Sequence, residues 1–234
     1  MPGISGHSAL VPDEPPPYGA APSNQEVLLG ELEVFADICC PFTHVGLRRV
    51  VAARAERHAD LRLRVRAWPL EIVNGRPLDP DHVALEADDL RAQVAPEMFA
   101  GFDVRAFPST SIPAFGLASA AYERGIETGE SVSLALRTAL FEEGRDVSDP
   151  SVLGALAATF GLEVPSVEQA EIAVRADWAD GQSKGVIGSP HFFLSDGGDA
   201  FCPVLHITRR PDGHFDIQTD DVALREFFGS VFAG

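Results

Sequence analysis

A chain of 234 residues that is 45% apolar can bury a substantial core, either as one domain with an insertion or as two. Its 35 acidic residues outnumber 18 basic ones, for a formal charge of −17 and a pI near 4.6. That balance excludes nucleic acid and anionic membrane as natural partners, because phosphate binding needs a basic face. No run of 18 apolar residues exists, so nothing is expected to span a bilayer.

Residues 1–28 read as a flexible N-terminal segment. Met1 to Gln25 contains no Lys, no Arg and no apolar centre, unlike a secretory signal, and Pro12, Pro15, Pro16, Pro17 and Pro22 give it little packing power. Three cysteines without an export signal point to a cytoplasmic, reducing setting and to no structural disulfide framework.

Glu31 to Ala36 alternates as a strand. It runs into Asp37-Ile38-Cys39-Cys40-Pro41-Phe42-Thr43-His44, where Pro41 suits the first turn of a helix reaching about His58. The helix stripe is Leu47, Val50, Val51 and Ala55; Arg54 also falls on it, and is expected to snorkel or to pair with a carboxylate. Leu61, Leu63, Val65 and Ala67 alternate with three arginines as a second strand.

From Asp79 to Lys184 the pattern is helical. Asp79-Pro80 reads as an N-cap with Pro at the first helical position, and later helices are expected at 112–124, 131–141, 150–160 and 167–183. After Gly188-Ser189-Pro190 the strand pattern returns at 191–194, 201–207 and 215–217, and a closing helix is expected at 221–228.

Cys40 is the foremost candidate for chemistry. At a helix N-terminus, unpaired N–H groups and the dipole favour thiolate over thiol, so its pKa is expected below the free value of about 8.5. The competing reading is a buried, inert cysteine. Thr43 lies one turn on, where its hydroxyl reaches the sulfur, and His44 at i+4 is placed to act as cation or base; the plain alternatives are a first-turn Thr and a satisfied His. Cys39 suits strand-end packing. Cys202 suits a small apolar strand position or, less simply, a distant resolving thiol. Trp68, ending the second strand, either walls a substrate pocket or packs in the core. A zinc site is not indicated, since no second ligand pair accompanies Cys39, Cys40 and His44.

The element order, the Cys40-Pro41-Phe42-Thr43 turn, the helical stretch and Gly185-Val186-Ile187-Gly188-Ser189-Pro190 together resemble the DsbA-like thioredoxin-fold family, from about Glu31 to Phe228. The resemblance is to a branch related to 2-hydroxychromene-2-carboxylate isomerases and kappa-class glutathione transferases. It implies an α/β fold: a thioredoxin-like domain from residues 29–78 and 185–234, with a helical insertion at 79–184. It also implies that Pro190 is a cis-proline, whose loop turns the Ser189 backbone toward the nucleophile and the substrate. Thr43 stands where redox members carry their second cysteine.

One thiol without its partner suits reversible addition of Cys40 to a conjugated small molecule, free or carrier-bound, giving cis–trans isomerisation without a required cofactor. Isomerases of this branch usually carry Ser at that position and use glutathione as the thiol. The alternatives are thiol–disulfide exchange through mixed disulfides with a low-molecular-weight thiol such as glutathione, and a non-catalytic binding module. A homodimer is compatible with either.

Overall fold

The computed structural model describes residues 28–232, so the expectation for residues 1–28 lies almost wholly outside it. Four strands form one mixed sheet in the order β2-β1-β3-β4. They are β1 (Leu28–Ala36), β2 (Asp60–Ala67), β3 (His191–Phe193) and β4 (Asp199–Phe201). β1 is parallel to β2 and antiparallel to β3, with Val34 opposite Val65 on one side and Phe192 on the other. Being central, β1 is buried on both faces, and Val34 and Phe35 are both inaccessible.

Helix α1 (Pro41–Glu56) returns the chain from β1 to β2 over the face that carries Leu32, Val34 and Ala36. Its buried stripe is Val45, Leu47, Val50 and Ala53. Ala55 is exposed instead, while Arg54 pairs with Glu130 at 2.6 Å and donates to Leu61 O. Between β2 and β3 come α2 (Leu70–Val73), α3 (Pro80–Gln93), a 3-10 turn at Val104–Ala106, α4 (Ile112–Arg124), α5 (Ile126–Phe141), α6 (Pro150–Thr159) and α7 (Val167–Ser183). One continuous core joins these helices to the sheet: Leu63 and Val65 belong to the same apolar cluster as Leu117 and Leu136.

The edge strand β2 shows how the helices attach. An unpaired strand edge must satisfy its backbone groups some other way. Here Glu130 accepts from Leu63 N at 2.8 Å, Tyr122 Oη accepts from Val65 N and donates to Leu63 O, and Asp177 accepts from Ala67 N. Side chains of α4, α5 and α7 thus complete the ladder that a fifth strand would otherwise supply.

The chain closes with β5 (His206–Arg209), β6 (Phe215–Gln218) and α8 (Asp221–Val231). β5 and β6 form a separate hairpin. The single strand expected at 201–207 is therefore broken: Cys202 takes a left-handed φ of 43°, which no strand permits, and donates its N–H to Pro190 O. α3 holds the hairpin, because Asp89 accepts from Phe215 N and Gln93 pairs with both Phe215 O and Ile217 N.

Candidate active site

Where β1 ends, Asp37 starts the turn that presents the cysteines. Its Oδ1 accepts from Cys39 N at 2.6 Å, a two-residue side-chain turn, and its Oδ2 accepts from Leu70 N. The carboxyl is fully buried, and burial lifts its pKa to about 6 despite these bonds and the nearby Arg137. Arg137, itself enclosed, donates from Nη2 to Asp37 O at 3.1 Å and from Nη1 to Ser133 O and Oγ. Burial brings its pKa down to about 10.

Cys40 is the N-cap of α1, with Pro41 following. The Ser189–Pro190 peptide bond is cis, and the loop that carries it faces the turn. Cys40 Sγ donates to Ser189 O at 3.5 Å; Ser189 Oγ accepts from Asp37 N at 2.8 Å and lies 2.7 Å from Thr43 Oγ1. If Ser189 donates in that last bond, the Thr43 hydroxyl proton is free to point at the sulfur. Cys40, Thr43, Ser189 and Pro190 therefore meet, with Asp37 beneath them.

The electrostatics run against the expected thiolate. Cys40 is only 4% exposed, and its pKa is pushed up to about 11. Burial is the largest cause and the Glu86 carboxylate the next; the Thr43 hydroxyl and Thr43 N–H pull the other way. The helix terminus is present, but desolvation of the charged sulfur outweighs it.

His44 is not at the sulfur. Its ring packs against Phe99 and Phe141, and Nε2 lies 2.6 Å from Glu142 Oε1. Burial lowers its pKa, with Glu142 opposing, so it anchors α1 to the end of α5. Trp68 packs in a second core cluster with Phe35 and Val186. It lies on the far face of the sheet, 4.4 Å from Trp178 and edge-on to Phe35, over the hydrogen of Gly181, where a Cβ would come within 2.7 Å of the indole. Cavities of about 230 and 550 Å³ lie between α4 and α7, the smaller also bordering β2, and Cys40 lines neither. Among the described residues no cluster of three or more His, Cys, Asp or Glu is arranged to hold a metal, and no helix is long and apolar enough to cross a membrane.

The profile of the DSBA-like thioredoxin domain matches residues 31–206, from β1 to the start of β5. The chain belongs to the DSBA-like thioredoxin domain family. Solved structures of similar shape include a probable DsbA oxidoreductase from Streptomyces coelicolor, 24% identical over 73% of this chain and 82% of that one, with a TM-score of 0.55. The cytosolic disulfide reductase DsbM from Pseudomonas aeruginosa is 20% identical over 84% and 91%, with a TM-score of 0.54, and was also solved with GSH. A 2-hydroxychromene-2-carboxylate isomerase is 15% identical over 74% and 88%, with a TM-score of 0.53. At these identities the likeness is one of fold. No curated protein sequence is a significant match. Proteins of this shape thus include a disulfide reductase and an isomerase.

Asp37, Arg137 and Glu86 were not singled out from the sequence. A signal existed for Asp37, an acid closing an apolar strand two residues before Cys39. Another existed for Arg137, a lone charge within the apolar run Leu134–Leu140. Glu86 carried none, because α3 is acidic throughout.

Proposed function

We propose that this chain is a single-sulfur enzyme, with Cys40 adding reversibly to a conjugated double bond of a small molecule to catalyse cis–trans isomerisation. The observation that carries this reading is Thr43 at the resolving position, its hydroxyl 2.7 Å from Ser189 Oγ. A dithiol cycle needs a second sulfur there, whereas addition, bond rotation and elimination close with one. Cys40 forms the carbon–sulfur bond, Thr43 hydrogen-bonds the sulfur, and the Ser189–Pro190 loop aligns the substrate. No further cofactor is needed for this cycle.

Disulfide exchange through a mixed disulfide with glutathione is the second reading, favoured by the likeness to DsbM, which was solved with GSH. The near-complete burial of Cys40 favours a third, a non-catalytic binding module.

Intact-mass spectrometry separates the three. Incubation with an α,β-unsaturated carbonyl compound is expected to add one equivalent at Cys40, accompanied by conversion of the cis substrate. A glutathione mixed disulfide at Cys40, without the carbon adduct, moves the assignment to disulfide exchange. No adduct of either kind leaves the binding module. Thr43→Cys should raise insulin reduction well above a weak native rate; a native rate already equal to a dithiol enzyme refutes the single-sulfur reading.

A further inference from the structure

The loop that ends in the cis Ser189–Pro190 bond needs a support other than apolar burial, because Ile187 within it is 71% exposed. Val186 N donates to Gly181 O, which ties the start of the loop to α7, and Pro190 O accepts from Cys202 N at its end. Between these ties the Ile187 N–H donates at 3.2 Å to Nδ1 of His191, the first residue of β3. Gly188 rests against the Phe201 ring so closely that a Cβ there would come within 2.4 Å of it.

His191 is buried, and both of its ring nitrogens are in use. Nε2 lies 3.0 Å from Asp199 Oδ1 on β4, while the ring stacks on Phe193 at 5.0 Å and meets Phe201 edge-on at 6.2 Å. A backbone N–H can only donate, so Nδ1 carries no proton in this arrangement. The hydrogen of the neutral ring is therefore on Nε2, toward Asp199. Tautomer and orientation are both fixed by the partners.

We propose that His191 is a positioning residue for the Cys40 site: its neutral ring clamps the Ile187 backbone and so holds Ser189, two residues on, against the sulfur and the β1–α1 turn. This rests on the reading of Cys40 and the Ser189–Pro190 loop given above. Ser189 O is 3.5 Å from Cys40 Sγ, and Ser189 Oγ bonds both Asp37 N and Thr43 Oγ1. Those contacts set where a substrate can meet the sulfur, and a misplacement of about 1 Å can cost orders of magnitude in rate. A proton added at Nδ1 would set N–H against N–H, opening the clamp while the Asp199 bond is kept.

The charges around the ring lie on three sides. Asp199 faces it from β4. On the β1 side Phe35 is its register partner, and Arg66 lies 5.6 Å from the Phe35 ring, paired with Glu33, Asp177 and Asp180. Lys184, at the end of α7, lies 5.4 Å from the Phe35 ring and 5.7 Å from the Phe193 ring, paired with Glu33 and Asp180.

The clamp is read by amide hydrogen exchange across Val186–Ser189 in the full chain, followed by mass spectrometry and corrected for the intrinsic pH dependence. Turnover is read with a cis α,β-unsaturated carbonyl compound. In native protein, protection at Ile187 should fall roughly threefold to tenfold between about pH 8 and pH 5, the worth of one hydrogen bond. His191→Asn places near the Nδ1 position an acceptor that acid does not protonate. It should keep the protection and most of the turnover, and lose the pH dependence. His191→Gln reaches Asp199 but leaves the Ile187 N–H without an acceptor. Protection should be lost at every pH, and kcat should fall at least roughly tenfold. Asp37 and Glu86 titrate in the same range in all three proteins, so the difference between profiles is decisive.

A His191→Asn variant as damaged as His191→Gln overturns the proposal, because the ring would then only fill space. Native protection that ignores pH overturns it, and so do unchanged protection and turnover in His191→Gln. If a variant fails to fold, the pH series on the native chain still decides. Native protein that turns over no conjugated substrate overturns the isomerase reading alone, and the exchange data then decide the clamp.

Discussion

Replacing Asp37 with Asn should flatten the pH dependence of stability in a defined window. Burial raises this carboxyl from 3.8 to about 6, so between those values the native state holds a proton that the unfolded chain has released. Stability therefore falls as pH rises through the window; the contribution is complete below 3.8 and gone above about 6. At 1.36 kcal/mol per pH unit the displacement amounts to about 3 kcal/mol, of which roughly 1.4 kcal/mol is lost above pH 5. Asn cannot titrate. It places an N–H against either Cys39 N or Leu70 N, a penalty that does not vary with pH.

Urea unfolding of both proteins at intervals from pH 5 to 8 reads the difference directly. The other acids that burial raises, Glu86 and Asp177, are present in both and cancel. Native stability minus Asp37→Asn stability should decline by about 1.4 kcal/mol over that range. A constant difference would mean that the carboxyl ionises freely, and would refute the claim that burial dominates its two N–H bonds and Arg137.

Thr43→Val removes the hydroxyl that bonds Ser189 Oγ and pulls the Cys40 pKa down, so the thiol should shift further upward and alkylation at pH 8 should slow, at a stability cost of about 1 kcal/mol. An unchanged alkylation profile would remove Thr43 from the site. Tyr122→Phe strips the cap from Val65 N and Leu63 O at the sheet edge, and should cost about 1–3 kcal/mol in urea unfolding. A loss below about 0.5 kcal/mol would show that water replaces the phenol there.

Local chemistry made much of this molecule legible. Pro41 after Cys40, Asp79 before Pro80 and the period-2 run Leu61–Ala67 each restrict the backbone of adjacent residues, and α1, α3 and β2 begin or lie where those signals stand. The helices at 112–124 and 167–183 match the periodicity residue for residue. The strand expected at 201–207 broke because Pro203 and the left-handed Cys202 turn the chain toward Pro190, a contact made across the fold.

The character of the site was decided by tertiary structure alone. Sequence spacing put His44 one turn from Cys40, yet that position also faces α5, and the carboxylate of Glu142 and two phenylalanines claimed the ring. The helix terminus at Cys40 is a local property and was readable. The burial that pushes the thiol to about 11, and the Glu86 carboxylate 46 positions away that adds to it, are not. A pKa responds to the dielectric and charge within several ångströms in every direction, and most of those neighbours are distant along the chain.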